Sequence, residues 1–400
     1  MIDPTSVPFR GPLTPYALGL WSDLKGQGYP PASGAKQLRL AAHLSRWLDD
    51  RELDTSDLTI DRVQQFLADR RREGHKSLFS LKAMQPLLGY LRRVGAAPPP
   101  TPLLETAVDH FVRSYADYLA SERGLLTPTI QQYTTFARCF IQAEFDGNVP
   151  DWSVLDASFV TDFVSREIPR LSLGTRRMTV TGLRSLLRYL NVSGHLAHEF
   201  LEYVPSVAGW RLSSLPKGLD PKQVEELLAS RDTRSRAGVR DRAVLCLLAR
   251  LGLRAGEVAA LELADIDWRA GEIVIRGKPR RESRLPVPLD VGRALVKYLR
   301  QRPRVESRGV FLRIYAPHRP IGPGAVSGLA GRALRAIGVG SGSAHLLRHT
   351  AATQMLRSGA SLAEIGHVLR HRHIDTTAIY AKVDHAALRT LAQPWPGGVA

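Results

Sequence analysis

The chain has 400 residues, more than one hydrophobic core usually supports, so two or three domains are expected. Its apolar fraction of 44% with ordinary glycine and proline excludes a disordered or low-complexity chain. A formal charge of +17 at pH 7 points to a polyanionic partner, because clustered lysines and arginines displace counterions from phosphates; net charge speaks to association rather than fold, so a merely basic soluble protein is the plainer alternative.

Arginine greatly outnumbers lysine, which suits bidentate phosphate binding and equally suits a GC-rich genome. The two cysteines, Cys139 and Cys246, lie in apolar helical contexts and read as core thiols of a reducing compartment. No apolar run reaches membrane-spanning length, and the opening MIDPTSVPFRGPLTPY has no signal-peptide core. A cytoplasmic protein with no membrane association is the expectation.

Two proline-rich joints divide the chain. The first is GAAPPPTP, Gly95 to Pro102, stiff by composition. The second runs through AGWRLSSLPKGLDPKQ, and its end reads as a helix start with Asp220 as N-cap and Pro221 in the first turn. The expected segments are 1–98, 103–207 and 216–400.

The first two segments read as versions of one helical unit. QLRLAAHLSRWLDD in the first is matched by TIQQYTTFARCFIQA in the second, DLTIDRVQQFLADRR by VLDASFVTDFVSRE, and LLGYLRRVG by LLRYLNVSG. An internal duplication of a four- or five-helix bundle is the expectation, against coincidence between two amphipathic bundles. Both carry arginine-bearing faces and no catalytic constellation, which suits DNA binding.

The third segment is mixed. DPKQVEELLAS and RDRAVLCLLARLG are helical, GEIVIRGKPRRESRLPVP gives two β-rich runs around a basic turn, and helices follow. The fold class expected is mainly α with a small antiparallel sheet in the C-terminal domain.

Four pieces of this segment carry chemistry: GLRAGEVAAL with Arg254 and Glu257, the hairpin tip with Lys278, HLLRHT with His345, Arg348 and His349, and GHVLRHRHIDTTAIY with His371 and Tyr380. Each alone has a plainer reading. Arg254 could be a solvated helix-end arginine. Lys278, among Arg276, Arg280, Arg281 and Arg284, could be one of several phosphate contacts at a basic tip. His345 and Arg348 share a helix face, as surface pairs often do, and Tyr380 could be a packed aromatic.

Together the order Arg, Lys, His-x-x-Arg, His, Tyr resembles the tyrosine recombinases, the family of phage integrases and Xer-type recombinases. Lys278 falls 24 residues after Arg254, His371 lies 26 after His345, and Tyr380 nine after His371. The motif resemblance covers roughly 215–382. The second segment resembles the family's core-binding domain by position and pattern only, and the first is extra relative to the minimal two-domain member. One departure stands out: Arg370 occupies the place of a usual glycine in Leu-Gly-His. His367 follows a glycine but sits too far from Tyr380, so His371 is preferred.

The resemblance implies a fold of two helical DNA-binding domains and a catalytic domain. It implies attack of Tyr380 on a DNA phosphodiester, leaving a 3′-phosphotyrosyl bond. A tyrosine with an ordinary pKa near ~10 must lose its proton as it attacks. Arg254 and Arg348 would clamp the phosphate oxygens. His345 would act as base or hydrogen-bond donor, His371 would brace the phosphate, and Lys278 would protonate the leaving 5′-oxygen. Glu257 would orient an arginine or His345, and His349 would stand behind the reacting groups. Arg276, Arg280, Arg281 and Arg284 would contact DNA. No cofactor is implied: two permanent cations stand where other phosphoryl-transfer enzymes place Mg²⁺.

The partner implied is double-stranded DNA with a specific site, bound by a homo-oligomer: a dimer per site and a tetramer on DNA. DHAALRTLAQPWP offers Leu388, Leu391 and Trp395 for docking on a neighbour or for folding back in cis. The extra segment favours a mobile-element integrase or transposase. The rivals are a type IB topoisomerase activity and a catalytically silent DNA-binding protein. A metal site has weaker support: His367 and His371 could share a helix face, but no cysteine lies near, and Ser361 with Glu364 reads as a capping box.

Overall fold

The computed structural model describes residues 7–100, 105–148, 150–206, 218–276, 282–340, 342–371 and 375–383. It is mainly helical with one three-stranded antiparallel sheet among those residues. The chain forms two compact units, Met1–Pro100 with Ser214–Ala400, and Thr101–Ser213. No helix among the described residues is long and apolar enough to cross a membrane.

The first hundred residues carry α1 (Ala17–Gly26), α2 (Pro31–Asp49), α3 (Ile60–Arg72) and α4 (Leu81–Arg93). Pro31 opens α2 with a pre-set backbone angle, and the Thr59 and Ser80 side chains accept the first free amides of α3 and α4. The core is aliphatic, built on Leu38, Leu44, Leu48, Leu87 and Leu91 around Phe66 and Met84. The end of α1 meets a loop of the C-terminal segment, where the His318 amide donates to the Gln27 carbonyl at 3.2 Å. Gly28 is required there. Its φ is +83°, and a Cβ would stand 2.1 Å from the His318 ring.

Residues 105–206 carry α5 (Ala107–Ser121), α6 (Thr127–Glu144), α7 (Ala157–Glu167) and α8 (Leu173–Val192). Thr106 and Asp109 form a capping box on α5, and Asp156 and Ser172 cap α7 and α8. This core is aromatic, with Phe111, Tyr115, Phe140, Trp152, Phe163 and Tyr189 packed together. The buried Tyr115 hydroxyl donates to Ser185 Oγ at 2.8 Å. The element order repeats that of the first hundred residues, down to a 3₁₀ turn before the third helix: Thr55–Asp57 in one, Trp152–Val154 in the other. Cys139 is exposed, which corrects the expectation of a core thiol: it lies off the apolar face of α6, beside the buried Phe140 and Ile141. Cys246 is buried as expected.

The C-terminal segment begins with α9 (Pro221–Ala229), capped by Asp220 and opened by Pro221. Next is α10 (Arg236–Arg250), whose residues Ala243 to Ala249 are all buried. A helix apolar on every side belongs at the centre of its domain. After α11 (Ala255–Ala260) comes the sheet β1 (Ile266–Asp267), β2 (Glu272–Arg276) and β3 (Glu282–Pro286). The two runs expected as a hairpin pair with Ile273 opposite Leu285, and these two with Ile275 turn into the core. The two-residue β1 pairs with β2 and has no periodicity to reveal it. Then follow α12 (Leu289–Gln301), α13 (Pro323–Ala336), α14 (Ala344–Arg357), α15 (Leu362–Val368), α16 (Asp375–Ala378) and a 3₁₀ turn, Ile379–Val383.

Candidate active site

The site is assembled where the end of α10, the start of α11, α14 and the segment after α15 converge. Gly252 makes the approach possible. Its φ is +60°, and a Cβ there would stand 2.6 Å from Leu369 Cδ2. Arg254 follows at the head of α11. Its amide donates to Glu257 Oε2 at 2.8 Å and its Nη1 to Glu257 Oε1 at 2.7 Å. Arg254 remains about half exposed, while Glu257 is buried.

On α14, Ser343 caps the helix and accepts the His345 amide at 3.3 Å. Arg348, one turn on, is 3% exposed. Its Nη1 donates to the Gly252 carbonyl at 2.6 Å and its Nη2 to the Leu369 carbonyl. Burial, then the neighbouring Arg254, lowers its pKa to about 10, so it stays a cation at neutral pH. Two backbone carbonyls thus fix its plane, and a fixed guanidinium needs no reorganisation when charge develops beside it.

Ser361 and Glu364 form the expected capping box on α15. That helix ends at Val368, so His367 and His371 do not share a helix face. Arg370, in the glycine position, has φ +56°. The backbone is left-handed there, which explains why glycine is the easy choice. Its side chain swings back to Glu257, with Nη2 2.7 Å from Oε2, and both groups are under a tenth exposed. The Arg370 carbonyl accepts Arg254 Nη2 at 3.3 Å. One carboxylate therefore holds two arginines. Burial alone would raise the Glu257 pKa; the Arg370 charge and the hydrogen bonds from Arg254 outweigh it and hold the group below its ordinary value.

His371 Nδ1 lies 2.7 Å from Thr377 Oγ1. Burial, then Arg348 and Arg254, lowers its pKa to about 4. Tyr380 is 2% exposed and packs with Ala352, Ile365 and Leu369. Burial raises its pKa to about 12 against the opposing charge of Arg348. Its hydroxyl lies 2.8 Å from His349 Nδ1. His349 Nε2 in turn lies 3.0 Å from His345 Nε2.

Arg254, Glu257, His345, Arg348, His349, His371 and Tyr380 thus gather in one region of the chain, held by separate contacts: Arg254 on Glu257, Arg348 on two carbonyls, His371 on Thr377, and His345, His349 and Tyr380 in a row. Two of the expected DNA contacts are occupied by carboxylates: Arg276 pairs with Asp265 at 2.7 Å, and Arg284 with Glu272 at 3.5 Å. Lys278, Arg280 and Arg281 lie outside the described residues, as do Leu388, Leu391 and Trp395. Two contributors escaped the sequence reading, Arg370 as the partner of Glu257 and Thr377 as the partner of His371. The signal for Arg370 was its substitution for glycine. Thr377 gave none. No group of three or more His, Cys, Asp or Glu among the described residues is placed to share a metal ion.

Residues 217–387 match the phage integrase family. Over 398 residues the chain is 41% identical to y4rA of Sinorhizobium fredii (strain NBRC 101917 / NGR234), whose name describes it as an integrase or recombinase. That alignment spans 98% of this chain and 97% of the relative. The tyrosine recombinase XerD of Listeria monocytogenes serotype 4b (strain F2365) is 29% identical over 70% of this chain and 97% of its own length. Among solved structures, the XerH site-specific recombinase bound to palindromic difH substrate, a post-cleavage complex, superposes with a TM-score of 0.51. It covers 96% of both chains at 16% identity. The chain belongs to the phage integrase family of tyrosine recombinases, enzymes that cleave and rejoin DNA.

Proposed function

We propose that this chain is a site-specific recombinase of the integrase or transposase type that breaks and rejoins duplex DNA through a 3′-phosphotyrosyl bond to Tyr380. The observation that carries this reading is the convergence, in one chain, of the cations Arg254 and Arg348 with Tyr380, whose hydroxyl contacts His349 and, through it, His345. Arg254 and Arg348 stabilise the charge that develops on the non-bridging phosphate oxygens. His371 braces the phosphate as a neutral donor, and His345 serves proton transfer. Lys278 is the proposed acid for the leaving 5′-oxygen, and Glu257 orients Arg254.

The phosphotyrosyl bond conserves the free energy of the broken phosphodiester, so a 5′-hydroxyl from another strand reverses the attack and no ATP is required. The two arginines supply the positive charge, and the reaction proceeds without a metal. The substrate is duplex DNA. The +17 charge favours it, and the XerH complex is with its DNA substrate. Residues 1–98 and 103–207 serve DNA binding, 216–400 the chemistry. Exchange between two duplexes calls for a tetramer, with a dimer on each site.

The test is covalent capture. Nicked duplexes of randomised sequence are incubated with the protein, and DNA surviving denaturation is sequenced. The wild type should retain DNA through its 3′-phosphate, and Tyr380→Phe should retain none while still binding the captured duplex. An adduct that persists in Tyr380→Phe would remove Tyr380 as nucleophile. Loss of cleavage in EDTA would end the metal-free mechanism.

A further inference from the structure

The family chemistry requires a base for the tyrosine proton, and the hydrogen bonds of this chain give that task a direction. Tyr380 is a phenol held well above neutrality, so it keeps its proton until attack and donates it in the 2.8 Å contact. The acceptor is His349 Nδ1. A neutral imidazole that accepts at Nδ1 carries its own proton on Nε2. That proton points along the 3.0 Å contact to His345 Nε2, and His345 must then hold its proton on Nδ1. The two histidines are four residues apart on α14, so the helix fixes both rings on one face. His345 is exposed, while Tyr380 at the other end is buried.

We infer that His349 is a catalytic residue, the direct acceptor of the Tyr380 proton, and that His345 is the outer half of a two-histidine relay. The inference rests on the proposed Tyr380 chemistry. As the Tyr380 Oη–P bond forms and the P–O5′ bond breaks, the phenolic proton moves to His349 Nδ1 and the Nε2 proton of His349 moves to His345 Nε2. The 5′-oxygen takes its proton from Lys278. Protons balance: one leaves the lysine, one arrives on His345, and religation runs both transfers backwards.

The groups facing His349 are His345 and Arg348 from its own helix and Tyr380 and His371 from the C-terminal elements. None is a carboxylate. Burial, then His345 and Arg348, lowers the His349 pKa to about 4. It is therefore neutral and able to accept at working pH. Nothing anionic holds it as an imidazolium, which favours passing the charge outward to exposed His345.

The test uses the full chain and the duplex captured with the wild type, in single-turnover cleavage. His349→Gln can still hydrogen-bond Tyr380 but cannot take its proton, so it should melt and bind DNA like the wild type. Cleavage should fall about 10²-fold or more, the usual worth of a positioned base. His349→Ala should fall as far and recover in part with added imidazole. In both variants the rate should climb with pH up to about 10, as hydroxide replaces the base, whereas the wild type is flat above pH 6. A duplex with sulfur at the bridging 5′ position needs no acid and should not rescue either variant. Cleavage by His349→Gln within twofold of the wild type would overturn the relay. So would full rescue by the 5′-sulfur duplex, or an unchanged pH profile. No adduct with the wild type on any duplex would bring down the Tyr380 chemistry and the relay with it. A wild-type adduct beside an unimpaired His349→Gln would sink the relay alone.

Discussion

The apolar core of the C-terminal segment and its candidate active site are held together by different forces. The core, centred on α10, is mainly apolar and packs Leu245, Leu247, Leu248, Val258, Ile273 and Leu329. The site is held by Glu257 between Arg254 and Arg370, by Arg348 on two carbonyls, and by the His345–His349–Tyr380 chain. Hydrophobic burial is non-directional and tolerates some change of shape. The polar site depends on partners with fixed geometry, and a missing partner leaves a buried charge or carbonyl unsatisfied. Stability should therefore follow the core, and chemistry the site.

Two substitutions probe that division, the larger expected loss of stability first, and a pH titration joins them. Leu247→Ala removes a side chain with no exposure and should cost about 2 to 5 kcal/mol of unfolding free energy in urea titration. Adduct formation per folded molecule should stay at the wild-type level. A larger loss of activity than of folded protein would show that the core also sets the site geometry.

Arg370→Gly acts at the border. It relieves a left-handed backbone at an arginine, worth about 1 kcal/mol, and strips Glu257 of a buried partner, a loss of about 3 to 5 kcal/mol. A net destabilisation of about 2 to 4 kcal/mol is expected, with slower cleavage as Glu257 closes on Arg254 alone. A variant more stable than the wild type would mean that the ion pair contributes nothing.

The third probe is pH. His349 and His371 titrate near 4 in the folded chain against an ordinary 6.5, and His345 is shifted the same way. Between those values the unfolded chain binds more protons, so stability falls as pH drops from 6.5 towards 4. Glu257, held below its ordinary 4.5, acts lower still. The thermal midpoint should decline steadily across that window. A midpoint flat from pH 6.5 to 4 would show that these histidines are solvated.

Short-range patterns made much of this legible. Asp220 and Pro221 announced α9, Ser361 and Glu364 announced α15, and alternating residues announced the β2–β3 hairpin. Each is a signal spanning a few residues. Cys139 misled because its apolar neighbours in sequence face the opposite side of α6. The roles of His349 and Arg370 depend on partners 31 and 113 residues away, and no local period encodes such pairings.

The sequence by itself determined the candidate residue types and their order, and helix spacing places His345, Arg348 and His349 together on one helix. Only the tertiary structure decided which of them meet. Gly252 lets α10 close on α14, Glu257 reaches Arg370, and Tyr380 comes back to His349. Those contacts arise from packing separate elements onto one core, a long-range outcome that the local periodicity of the sequence does not record.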